Sequence, residues 1–83
     1  MRIHVKTAGL LGKYLPQGSE RNRAELDVAD GSTPIDVMQQ LGVPLEGRYL
    51  ISVNGTALPV DARAGHRLAE DDSLAIMPPL SGG

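Results

Sequence analysis

Apolar and polar residues alternate at the start of the chain. Ile3 and Val5 sit among Arg2, His4 and Lys6, the period-two pattern of a strand with one buried face. Gly9, Gly12, Pro16 and Gly18 then break the chain into turns, with Leu10, Leu11 and Leu15 available to cover one end of a core. A short helical turn fits that stretch. Leu26 and Val28 alternate with Glu25 and Asp27 as a second strand, closed by Asp30-Gly31. The sharpest local signal follows. Thr33 stands as N-cap, Pro34 as first helical residue and Asp36 in the first turn, while Gly42 lies past the end and Pro44 beyond it. A helix over about residues 34–41 is predicted, with Ile35, Val37, Met38 and Leu41 as one apolar stripe in which Met38 is core filler.

Leu50, Ile51 and Val53 predict a third strand. Asn54-Gly55 is a strong hairpin signal and leads into a brief strand from Thr56 to Leu58. After a Gly/Arg/Ala-rich connection and Leu68, Asp71-Asp72 turns into a last strand from Leu74 to Met77. Leu74 and Ile76 point to one side of it, Ala75 and Met77 to the other. If the helix covers the first pair, Met77 lies on the open face. One helix for about five strands predicts an α+β domain, a mixed sheet with the helix packed across one face.

Composition narrows the chemistry. Eighty-three residues make one domain, near the low end for a self-supporting core, where about 60% of the unfolded surface is buried. An apolar fraction of 41% is that of a globular chain, and ten glycines with six prolines make it turn-rich. Cysteine is absent, which excludes disulfides, thiolate metal sites and a persulfide on this chain. A net charge of −2 and only two aromatics, Tyr14 and Tyr49, leave no basic stacking platform, so no nucleic acid is expected as partner. The opening residues lack the apolar run of a signal peptide and no stretch approaches spanning length, so a cytoplasmic protein without membrane contact is the expectation.

Enzyme constellations do not emerge. His4 and His66 are far apart in sequence and belong to no local catalytic motif. His4 falls on the outward face of a strand. Gly9 to Lys13 ends in Gly-Lys, but Thr7 occupies the place of the first glycine of a phosphate-binding loop and Tyr14 that of its Ser/Thr. Glu70-Asp71-Asp72 lacks calcium-loop spacing and reads as a solvated turn. What remains is the ending Pro78-Pro79-Leu80-Ser81-Gly82-Gly83. Two residues without side chains can enter a channel too narrow for any other, and Leu80 to Gly83 can reach roughly 13 Å at about 3.3 Å per residue. Residues 1–77 are therefore expected to form the domain and residues 78–83 an extended tail presenting the Gly83 carboxylate.

The strand order and the ending Ala75-Ile76-Met77-Pro78-Pro79-Leu80-Ser81-Gly82-Gly83 resemble the β-grasp (ubiquitin-like) sulfur carriers of the molybdopterin-synthase small-subunit and thiazole-carrier family. Gly31-Ser32-Thr33-Pro34, Leu41-Gly42-Val43-Pro44 and Val53-Asn54-Gly55 fall where such carriers have similar residues, so the resemblance runs the full length. Similar carriers often have aromatics where this chain has Ala8 and Met77, and glycine where it has Asp71.

The resemblance implies a non-catalytic carrier, or the small subunit of a sulfur-transferase complex. Gly83 would be adenylated by a ubiquitin-activating-type adenylyltransferase that uses ATP, this chain binding no cofactor itself, and then converted to a thiocarboxylate. The sulfur would come from a donor such as a rhodanese or cysteine desulfurase and pass to an acceptor large subunit or synthase. It further implies that Ser81 and Gly82 line the partner's channel and that Met77, Leu80 and Leu58 dock on its surface. The ending leans towards molybdenum cofactor biosynthesis. Sulfur donation to the thiazole of thiamin or another metabolite stays open, as does a ubiquitin-like modifier conjugated through Gly83.

Overall fold

Strand β1 (Arg2–Thr7) buries Ile3, Val5 and Thr7 and turns Arg2, His4 and Lys6 outward, so the opening alternation is realised residue by residue. The structure is a computed structural model that describes residues 1–16, 22–45 and 49–78. A 3-10 turn (Gly9–Tyr14) follows β1. It seats Leu11 and, just past it, Leu15 in the core, but Leu10 is 86% exposed. The expectation that all three leucines cover the core is corrected. At three residues per turn, neighbouring side chains point about 120° apart, and a single short turn has only one inward direction.

Strand β2 (Arg23–Asp27) pairs antiparallel with β1, Ile3 opposite Leu26 and Val5 opposite Ala24. Helix α1 (Pro34–Leu41) has the predicted bounds. The Thr33 hydroxyl accepts the Asp36 N–H at 3.2 Å and the Asp36 carboxylate accepts the Thr33 N–H at 3.0 Å, a reciprocal box that satisfies two donors left over by the first turn. At the other end Gly42 takes φ +81°, its N–H reaching the Gln39 carbonyl while the Val43 N–H reaches that of Met38 at 2.9 Å. That double closure requires a left-handed residue, which glycine adopts without a Cβ penalty.

Strand β3 (Leu50–Val53) turns through Asn54 and Gly55, both at positive φ as a type I′ hairpin needs, into β4 (Thr56–Ala57). Leu58 falls just outside β4, although its N–H still donates to Ile51 at 2.8 Å. A second 3-10 turn (Val60–Ala62), not foreseen in the sequence, opens the connection to β5 (Ser73–Met77). Asp71 enters β5 at φ +67°, the left-handed conformation a short polar side chain tolerates.

The sheet order is β2-β1-β5-β3-β4, with β1 and β5 parallel and the other pairs antiparallel. Val37 and Met38 of α1 share one core with Ile3, Val5, Leu26, Ile51, Val53, Leu74 and Ile76. The predicted α+β architecture, one helix on one face of a mixed five-stranded sheet, is what the chain adopts. Among the described residues no helix is long and apolar enough to cross a membrane.

Candidate docking face

Because β1 and β5 run parallel and β3 runs against β5, the end of β5 lies beside the end of β1 and the start of β3. Met77, the last residue of β5, is therefore opposite Leu50, the first of β3. Ile51, Val53, Leu74 and Ile76 fill the core, so the alternate residues Leu50, Ser52, Ala75 and Met77 face away from the helix. Leu50 is 50% exposed and Met77 partly so. With Ala75 and Ala57, each opposite Ser52 from one side, they form a small apolar corner. Pro78 leaves from this corner. Leu80, Ser81, Gly82 and Gly83 lie outside the described residues.

Met77 thus occupies the open face as expected. Leu58 does not share it. The register that puts Ala57 beside Ser52 puts Leu58 on the side of Ile51, where it packs against the core. There it lines a groove with Val53, Thr56, His66 and Arg67, at the end of the sheet where β5 begins. Leu50 takes the place beside Met77. Sequence reasoning placed Leu50 in a strand but not in the site. Its phase, opposite to Ile51 and Val53, was legible, whereas its pairing with β5 was not.

The remainder of the open face is charged and largely self-compensated. The Arg2 guanidinium contacts Asp27 at 3.2 Å and Glu25 at 3.5 Å, and the hydrogen bond to Asp27, with the attraction of both carboxylates, raises its pKa further. His4 lies between Glu25 at 3.9 Å and Asp71 at 3.6 Å. The side chains of Lys6 and Arg23, on residues directly opposite each other, make no hydrogen bond or ion pair among the described residues. Where β5 begins, Asp72 accepts from the Ala69 N–H at 2.8 Å and from the Asn54 amide at 2.9 Å. These bonds, the Ala69 one first, hold its carboxyl below the usual range, with a smaller attraction from His66. Among the described residues no three His, Asp or Glu side chains converge to hold a metal ion.

Comparison with known proteins bears on what that surface serves. Residues 14–83 match the sequence model of the ThiS family. A comparison with curated proteins gave no match. Among solved structures, SAMP1 from Haloferax volcanii superposes with a TM-score of 0.71 at 24% identity, covering 100% of both chains. Urm1 from Trypanosoma brucei gives 0.68 at 19%, covering 99% of this chain and 95% of its own. The complex of subunits 1 and 2 of molybdopterin-converting factor from Helicobacter pylori contains a chain that matches at 0.60 and 19%, with 100% of each covered. At such identities the likeness speaks for the fold, a ubiquitin-like β-grasp. With a family match over residues 14–83 and this strand order, the chain belongs to the ThiS family of β-grasp sulfur carriers.

Proposed function

We propose that this protein carries sulfur on the Gly83 carboxylate, with residues 1–77 as the docking domain and residues 78–83 as the arm. The observation that carries the proposal is the family match reaching through Pro78-Pro79-Leu80-Ser81-Gly82-Gly83. A carboxylate is a poor electrophile. An adenylating partner lets it attack the α-phosphorus of ATP, releasing pyrophosphate and leaving an acyl adenylate. Hydrosulfide displaces AMP from the carbonyl carbon to give the thiocarboxylate; where the donor is a persulfide, the acyl disulfide first formed is split by a second thiol. The chain supplies no catalytic group. Its glycines fit a narrow channel, Ser81 lines that channel, and Leu80 docks with Met77. The absence of cysteine leaves no thiol of its own to trap the product.

The acceptor we propose is the large subunit of a molybdopterin-type synthase. Support comes from the Pro-Pro-Leu-Ser-Gly-Gly ending and from the likeness to a chain of the molybdopterin-converting factor complex. Donation to the thiazole of thiamin is the rival within this chemistry. A second class, conjugation of Gly83 to a lysine of a target protein, is favoured by the likeness to SAMP1, a small archaeal modifier protein. Intact mass after incubation with ATP, the host's adenylating enzyme and a sulfur source separates them. Thiocarboxylate formation adds roughly 16 Da at the terminus, and a Gly83 deletion abolishes it. An unmodified tail with conjugates appearing in extract overturns the carrier proposal in favour of the modifier.

A further inference from the structure

The opposed cations Lys6 and Arg23 call for an explanation. Met1 and Val28 exchange both backbone hydrogen bonds, at 2.9 and 2.8 Å, and the Thr7 N–H donates to Asn22 at 2.9 Å. In an antiparallel ladder that alternation makes Lys6 and Arg23 a non-hydrogen-bonded pair, where side chains stand closest. Like charges directly opposite are destabilising. Elsewhere on these two strands the outward charges are matched: Arg2 contacts Asp27 and Glu25, and His4 lies between Glu25 and Asp71. Lys6 is in turn opposite Ala75, so this pair, without an ion partner among the described residues, borders the apolar corner of Met77 and Leu50 beside the tail exit.

We infer that Lys6 and Arg23 are a recognition pair for an acidic side chain on the enzyme that activates the tail. The inference rests on the carrier proposal and adds the chemistry of the partner's face: a carboxylate set beside an apolar surface. Uncompensated surface charge mainly speeds encounter and adds little to lifetime. That suits a partner that must load a carrier and release it, rather than a permanent subunit. The free domain bears the repulsion, and docking relieves it.

Two readouts test this. With the host's adenylating enzyme, a Lys6→Glu/Arg23→Glu double variant raises the KM for this protein about tenfold or more at low salt, with kcat little changed, and added salt narrows the gap. Arg67→Glu, near the start of β5, leaves KM unchanged. Lys6→Gln alone raises the thermal midpoint of the free domain while raising KM. A wild-type tail that the enzyme leaves unmodified overturns the carrier proposal and this inference with it. A loaded wild type whose KM is indifferent to both substitutions, or equal sensitivity at Arg67, overturns the inference alone.

Discussion

Asp72 illustrates how much one carboxylate can organise. It ties the Ala69 N–H to the Asn54 side-chain amide, while the Asn54 Oδ1 accepts the Ser73 N–H at 2.9 Å, so the β3-β4 hairpin is fastened to the start of β5. Its folded-state pKa is lowered by those bonds. The stability it contributes is therefore fully present above the unfolded-state value and is lost as pH falls through the folded-state one. Asp72→Asn should lower the urea midpoint at neutral pH, and its gap to wild type should close on acidification. A gap that persists below the carboxylate range would assign the loss to geometry rather than charge. The positive φ of Asn54 was legible in the sequence, because Asn-Gly is a local signal, and that of Asp71 came through the resemblance, since similar carriers often have glycine at its position. The link from Asn54 to Asp72 was not, since it joins residues 18 apart through a register that only the assembled sheet defines.

Helix α1 matches its predicted bounds because both ends are closed by residues within five positions of each other. Thr33 and Asp36 box the start and Gly42 with Val43 closes the finish. Thr33→Ala removes the acceptor for the Asp36 N–H and should cost about 1 kcal/mol, measured by urea unfolding, with Thr33→Ser close to wild type. An Ala variant as stable as wild type would mean that Asp36 and Pro34 alone hold the first turn. The 3-10 turn at Val60–Ala62 was missed for the converse reason: nothing local marks it, and it follows from the return of the chain after β4. Strand β4 ends at Ala57, one residue before the predicted limit, where pairing with β3 gives way to packing of Leu58 on the core.

The face proposed for docking depends on the order of the strands. Alternation alone assigned Met77 to the open face, but its neighbour depended on β3 lying antiparallel beside β5, a relation no local pattern carries. The sheet puts Leu50 there and Leu58 on the opposite side. This gives the two leucines separable roles. Leu50 is already half-exposed, so Leu50→Ser costs the free domain little. Burying the exposed half of a leucine against a partner is worth about 0.8–1.5 kcal/mol, half the value for a whole side chain, and each 1.4 kcal/mol is about tenfold. Leu50→Ser should thus raise the KM of the adenylating enzyme for this protein by about four- to tenfold. Apolar contact is not screened by ions, so the loss should persist at high salt, unlike that from Lys6 and Arg23. Leu58→Ser should lower the unfolding midpoint and leave KM near wild type. If Leu58 instead controls KM while Leu50 does not, docking uses the helix side of the sheet, and Met77 would meet the partner only through the arm it anchors.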